Sequence, residues 1–493
     1  MQPEQPQYNT QSMHRVYYTH FYPLKCVTRA LTCGLSGNNT NNNTSPQYRD
    51  LRFECVNWYD PDTHWSKKHF DRHTDELLRT HLMADLPQSI HIGQFMPLLQ
   101  LDTSKWAPGD RTMGLRASQS KTNSTTTKRS LYNSGSNARF VVTNSPEYVS
   151  PLHETCGSGY AHFVTPLKEL VFDIDVPGFN RFCPCVDENG DTIHNTLCDT
   201  CGLHIEGAYE MMLFILDEQL GYESRHQLYV FSGGKGIHCF INAPRAMSLN
   251  EQQRMALYDA IQLSGSGNNA GTGNGRHESG DKPLFGWIRT VATPELSKRL
   301  QRLFRTNVLD VRNLLMRPDS RFWQWALRKL QRYWPAVYNQ VEPVWKAQRN
   351  NSKCHSRDMW RTLRAFEVYR DRSDVGSEWD FKGNVRPSLF LIYRLYYPMI
   401  DRAPLRMSHS IKMPFSIHGK TGALALPVDG SCLSSLYQGN HLCHIRTLYE
   451  AHTKGRPVPP IFKRAIELFD AWVAQYDISS SVSKIGGGDG VSS

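Results

Sequence analysis

The residues best suited to chemistry in this chain are carboxylates. Asp173 and Asp175 stand two positions apart in LVFDIDVPGF, directly after an apolar run. In a strand, residues at that spacing share a face, so both acids would project together while Phe172 and Ile174 pack behind them. Two carboxylates so close repel, and a partly buried pair stays ionised only beside a cation. Magnesium takes oxygen ligands and is shared with substrate phosphates, and two such ions activate a hydroxyl and stabilise a leaving pyrophosphate. The plainer reading is a pair of surface aspartates ending a strand, capped by the turn at Pro177 and Gly178. Asp401 is the candidate third acid, because it also ends an apolar run, Leu389 to Ile400, read as partly strand.

A second group lies in FSGGKGIH, which supplies Ser232, Gly233, Gly234, Lys235, Gly236 and His238. Three glycines leave backbone N–H groups open to an anion, Lys235 adds a point charge, and Ser232 and His238 add donors. The set suits a triphosphate cradle as well as it suits an ordinary glycine-rich hairpin. It is not a P-loop, since the G-x-x-x-x-G-K-[ST] spacing is absent and the turn leads to a strand. Third, Cys183, Cys185, Cys198 and Cys201 form C-x-C and C-x-x-C pairs twelve residues apart. Four thiols in one short segment fit a closed, structural zinc site, with buried free cysteines as the alternative. His194 and His204 lie nearby and could replace a ligand.

The elements that would carry these groups are legible in outline. The hairpin reads as a strand over Leu228 to Phe231, a turn, and a strand over Ile237 to Ile241. Tyr209, Met212, Leu213, Leu216 and Leu220 fall at helical spacing, with Gly221 as a stop. Thr293, Pro294 and Glu295 make a helix start with hydroxyl cap, first-turn proline and early acid. Helical patterns rich in Trp and Arg continue toward Tyr397. That stretch serves either nucleic acid, through phosphate contacts and stacking, or packing together with docking of a partner. A last helix begins at about Pro460, with Phe462, Ile466, Phe469, Val473 and Tyr476 on one face.

At 493 residues the chain can bury a large core and hold more than one domain. Its formal charge of +10 favours an anionic partner only weakly. The opening residues carry no signal-peptide core, no apolar run spans a membrane, and twelve cysteines without a secretory signal point to reduced thiols or metal ligands. That expectation is of a cytosolic or nuclear protein with no membrane. Stretches 36–46, about 104–144, 264–281 and the tail from 479 are rich in Asn, Ser, Thr and Gly and read as surface insertions and a disordered end. Lys121, Lys128 and Arg129 make a basic nucleic-acid arm the other reading of the second.

The three groups occur in one order, and that order resembles the small, catalytic subunit of eukaryotic-type DNA primase, of the archaeo-eukaryotic primase superfamily. The resemblance runs through HFYPLKCVTRALTCG, YRDLRFEC, PQSIHIG, KELVFDID, YVFSGGKGIHCFI, MPFSIHGKTGALALPVD and PIFKRAIELFDAW. It implies an α/β primase (prim) fold, with mixed β-sheets flanked by helices, a small zinc-binding module and an inserted α-helical subdomain. On that basis 1–284 is the first part of the catalytic domain, with the zinc module at about 181–204. Residues 285–397 are the helical subdomain, 398–478 the remainder with a C-terminal helix, and 479–493 the tail.

Residue by residue, the resemblance implies that Asp173, Asp175 and Asp401 hold two Mg²⁺ or Mn²⁺ ions. Ser232, Gly233, Gly234, Lys235, Gly236, His238, Lys412 and His418 would bind the nucleotide, and Cys183, Cys185, Cys198 and Cys201 one structural Zn²⁺. The chain departs from the pattern where Gly234 and Lys235 replace two arginines, where Ser89 replaces a basic residue, and where Lys67 stands in for an arginine. An arginine fork grips phosphate as lysine and glycine cannot. The implied activity is synthesis of short RNA primers de novo on single-stranded DNA from NTPs, in the nucleus, beside a primase large subunit and DNA polymerase alpha. The alternatives are a stand-alone primase-polymerase for repair or damage tolerance, and a non-catalytic zinc-bearing DNA-binding subunit.

Overall fold

The computed structural model describes residues 11–32, 47–56, 63–68, 75–87, 89–97, 99–100, 140–142, 148–151, 167–175, 199–234, 236–261, 288, 292–308, 320–350, 355–370, 385–396, 400–437 and 443–482. The strands among them are β1 (Gln47–Val56), β2 (Thr63–Lys68), β3 (Ser89–Pro97), β4 (Leu99–Gln100), β5 (Phe140–Val142), β6 (Tyr148–Pro151), β7 (Leu170–Asp175), β8 (Gln227–Phe231), β9 (Gly236–Ile241), β10 (Ile400–Asp401), β11 (Ile411–Lys412) and β12 (Leu426–Val428). They form sheets ordered β11-β3-β1-β2, β10-β7-β9-β8-β12 and β4-β6-β5, and each pairing is antiparallel. The chain is thus an α/β protein, as expected, but the described sheets are antiparallel rather than the mixed sheets expected.

The sheets follow from side-chain alternation. In β1, Leu51, Phe53 and Cys55 are buried while Arg52 is exposed, the pattern of a strand with one covered face. Strands β8 and β9 are buried at each position, as central strands covered on both sides should be. Strand β7 divides its side chains between two cores. Leu170, Phe172 and Ile174 join one, together with the helices between Pro294 and Tyr396, and Val171 joins the other, with Leu51, Phe53, Ile90 and Ile92. The Pro460–Val482 helix lays Phe462, Phe469, Trp472, Val473 and Tyr476 into that second core.

Several expectations meet the structure directly. Thr293 caps the Pro294–Leu303 helix, its Oγ1 accepting from Leu296 N at 3.2 Å. Gly221 has φ +63° and ends the run that begins with the Asp199–Phe214 helix. Among the described tryptophans of the helical stretch, Trp323, Trp345 and Trp360 are core residues. Trp323 and Trp345 are fully buried, meet edge to face at 5.0 Å, and donate to Ser356 Oγ and to Met359 O. That arrangement leaves neither ring for stacking on a base.

Other expectations need correction. Among its described residues, the run Leu389 to Ile400 is helix as far as Tyr396, within Pro387–Tyr396, and Ile400 with Asp401 is in strand. Pro387 at the first helical position and an apolar run buried on all sides outweigh strand propensity there. The final helix extends to Val482, past the boundary expected at 478, and residues 140–142 of the expected insertion form β5. The insertions at 36–46 and 264–281, most of 104–144, and Cys183, Cys185, His194 and Cys198 lie outside the described residues. Cys201 stands in the Asp199–Phe214 helix, its side chain outside that description. His204 is buried on the same helix, its Nδ1 3.3 Å from Leu395 O and its ring edge-on to Tyr396.

Candidate active site

Two strands bring distant acids together. Asp401 of β10 stands directly opposite Asp173 of β7, and Asp173 stands opposite His238 of β9. Opposed residues of neighbouring strands share a face, so Asp401, Asp173 and His238 form one line across the sheet. Asp175 lies two residues further along β7, opposite Gly236, and its side chain is outside the described set. The carboxylate of Asp173 is only 17% exposed and its Oδ1 is 3.3 Å from His238 Nε2. That approach is close but misaligned, and Asp173 Oδ1 accepts no hydrogen bond. Burial, and then the Asp401 carboxylate, push Asp173 up to about 7, while Lys412 pulls the other way.

A buried carboxylate oxygen without a donor, facing a second carboxylate, is a set of hard oxygen ligands in want of a cation, and a divalent ion fits it. Among the described residues no cluster of three or more His, Cys, Asp or Glu is gathered for a metal. The pair Asp173 and Asp401 is therefore what the described side chains offer.

The hairpin between β8 and β9 closes on itself. Ser232 N donates to Gly236 O at 3.0 Å, and Ser232 Oγ accepts from Gly234 N at 3.3 Å and from Gly236 N at 3.1 Å. Two of the backbone N–H groups expected to meet an anion are thus directed at Ser232, whose own hydroxyl proton is left to donate. Lys235 lies outside the described residues. Gly233, at φ +81°, and Gly234 pack against the turn that carries His418. A Cβ on Gly234 would come within 2.9 Å of His418 Nε2, and one on Gly233 within 2.8 Å of His418 Cβ. A side chain at 234 would therefore have to move the imidazole of another segment.

That imidazole is oriented by a residue the sequence did not single out. Thr421 N donates to His418 Nδ1 at 3.3 Å, and Thr421 Oγ1 donates to Gly233 O at 2.7 Å, tying the turn to the hairpin. With Nδ1 accepting, the ring proton belongs on Nε2, beside Gly234. Burial, then Lys412 and Lys420, lower His418 to about 4, so the ring is neutral at pH 7. His444 holds Thr421 in turn, its Nε2 2.6 Å from Thr421 O while its Nδ1 accepts from Arg446 N.

The segment linking Asp401 to His418 is pinned at both ends. Lys168, buried just before β7, donates to the carbonyls of Pro404, Arg406 and His409 at 2.8, 2.6 and 2.8 Å. Further on, Ser416 Oγ donates to Ile90 O and accepts from Ile90 N, and Tyr17 Oη donates to Phe415 O. Between these ties Lys412 sits opposite His91. Neither Lys168 nor Thr421 has an unusual spacing, and the signal that could have found Lys168 is a lysine entering an apolar strand.

Residues 172–429, more than half of the chain, match the family model described as DNA primase small subunit. Proteins named DNA primase small subunit are similar to it in Saccharomyces cerevisiae, Drosophila melanogaster and Caenorhabditis elegans, with 25%, 27% and 24% identity. These alignments cover 54%, 55% and 53% of this chain and 59%, 58% and 60% of the relatives, so the chain spans under two thirds of their length. The polymerase domain of Mycobacterium tuberculosis Ligase D in complex with DNA aligns over 92% of this chain and 91% of its own, at 10% identity and a TM-score of 0.32. That distance supports no argument about either fold or function.

Proposed function

Because the chain belongs to the DNA primase small subunit family, we propose that it is the catalytic subunit of a primase and makes short RNA primers de novo on single-stranded DNA from NTPs. The reaction would be attack of a ribose 3′-hydroxyl on the α-phosphate of an incoming NTP, with pyrophosphate leaving. Asp173, Asp175 and Asp401 would hold two Mg²⁺ or Mn²⁺ ions. When bound, such ions lower the pKa of the attacking hydroxyl and neutralise the leaving oxygens. His418 would donate from Nε2 to a phosphate oxygen, Ser232 from its hydroxyl, and Lys412 would supply positive charge near Asp173. His238, beside Asp173 and 8% exposed, would line the nucleotide on that flank.

The assignment of Cys183, Cys185, Cys198 and Cys201 to one structural Zn²⁺ belongs to the same proposal, as do a large primase subunit and DNA polymerase alpha as partners and the nucleus as location. Initiation has to hold two nucleotides and a template at once, a demand that a partner subunit eases by fixing one of them. The observation that carries the reading is the register setting Asp401 opposite Asp173, with a donorless Asp173 oxygen between that acid and His238. The test is primer synthesis on an unprimed single-stranded template with Mn²⁺, NTPs and purified chain. Asp401→Asn should lower product at least a hundredfold with thermal stability no lower than wild type. Equal product from both chains would remove the catalytic assignment, and a dNTP preference would favour the stand-alone primase-polymerase.

A further inference from the structure

One line of register crosses the first sheet from edge to edge. Lys412 of β11 stands opposite His91 of β3, His91 opposite Arg52 of β1, and Arg52 opposite Lys67 of β2. Each strand therefore contributes a basic residue type to a single transverse row. Arg52 and Lys67 are like charges directly opposite one another, which destabilises a sheet, so the fold alone gives no reason for that pair. Arg52 is exposed while its neighbours Leu51 and Phe53 are fully buried, which puts the row on the face turned away from the core.

The row ends at the carboxylates. Lys412 acts electrostatically on Asp173, and Lys412, His238, His409 and Arg52 all act on His91. Glu54 is the acid two residues from Arg52, and it accepts the Ser89 hydroxyl at 2.7 Å. Ser89 also lies 3.1 Å from His91 Nε2, so both neighbouring polar side chains are engaged inside the sheet. Neighbouring strands are spaced about 4.8 Å, so the Lys412 and Arg52 backbones are roughly 10 Å apart, a gap that their long side chains can narrow onto successive phosphates.

We propose that Arg52 grips the terminal phosphate of a nucleoside triphosphate whose α-phosphate lies at the Asp401 and Asp173 line, with Lys412 and His91 along the tail between them. The inference rests on the nucleotidyl-transfer reading of that line and adds what selects the triphosphate over shorter phosphates. A guanidinium can take two phosphate oxygens at once, which lysine cannot, and Arg52 brings this fork to a chain whose hairpin has glycine at 234.

The experiment is competition of ATP and ADP against a fluorescent mant-ATP probe bound to the full chain, with Mn²⁺ and without template. Wild type should prefer ATP to ADP, and Arg52→Ala should reduce that preference about tenfold, with Arg52→Lys between the two. Arg79→Ala, on the exposed side of the Asp75–Asp85 helix, removes the same charge elsewhere and should leave the preference intact. An unchanged ATP-to-ADP ratio in Arg52→Ala, or no discrimination by wild type, would overturn the proposal. Primer synthesis is read separately. A chain that selects ATP through Arg52 but makes no primer keeps the phosphate site and loses the catalytic reading.

Discussion

At the scale of single residues, the informative group is Asp173. A carboxyl held near 7, against 3.8 for an ordinary aspartate, is one that the folded chain would rather keep protonated. The sign follows: a raised carboxyl pKa costs stability as pH climbs from 3.8 through 7, and the cost is complete above 7. At pH 8 without divalent ions, Asp173→Asn should therefore be more stable than wild type, on the order of 1–3 kcal/mol by urea unfolding. Adding Mn²⁺ should raise the wild-type midpoint and leave the variant nearly unmoved, because a ligand stabilises only the state that binds it. A wild type that is the more stable chain in chelator would show that Asp173 is satisfied by protein groups. Gly234 lies close against the same site, since a Cβ there would come within 2.9 Å of His418 Nε2.

At the scale of elements, the two segments around Asp401 are held by one buried cation. Lys168 leads into β7, which carries Asp173, and its ammonium fastens the 404–409 loop that leaves Asp401. Arg254, also fully buried, donates to the carbonyls of Lys168 and Glu169 and so fixes the lead-in itself. Lys168→Met keeps the stem and leaves three carbonyls without their donor, which should cost about 2–4 kcal/mol in chemical denaturation. Primer synthesis at a temperature where the variant is folded should fall further than for an exposed lysine of the last helix, Lys463→Met. Equal activity would mean the loop holds its shape without the clamp. This contact also explains what the sequence could and could not reveal. Spacing was enough for Asp173, the hairpin, the Thr293 cap and the last helix, because each depends on neighbours a few residues away. The helix over Pro387–Tyr396 was partly missed because a segment buried on all faces has no polar side to display its period. The roles of Lys168 and Thr421 depend on partners 236 and 188 residues distant, Pro404 and Gly233, and no local pattern encodes them.

At the scale of the whole molecule, separate stretches of chain converge behind the site. Trp472 donates to His226 O and accepts from Asn242, which joins the last helix to the ends of β8 and β9. The N-terminal helix Gln11–Val16 and the turn after it reach across to Leu86, Pro87 and Phe415 through His14, Tyr18 and Tyr17. His14 is fully buried there with Nδ1 3.3 Å from Leu86 O, and burial lowers it to about 4 despite that contact. Between pH 6.5 and 4 the unfolded chain takes up a proton at this histidine that the folded chain refuses, so acid draws the equilibrium toward unfolding. The stability His14 supports is intact above 6.5 and lost as pH falls toward 4. His91 and His418, lowered to about 3 and about 4, push the same way, whereas the raised Asp173 pushes against them, so the wild-type curve alone is ambiguous. The difference between wild type and His14→Gln isolates the one group. Glutamine can still donate to Leu86 O but does not titrate, so the variant should gain on wild type by on the order of 2–3 kcal/mol between pH 7 and 4. Urea midpoints measured at half-unit steps supply the comparison. Parallel curves would mean that the N-terminal helix opens enough in acid to hydrate His14, and that this segment is not bound into the cooperative unit that holds the carboxylates.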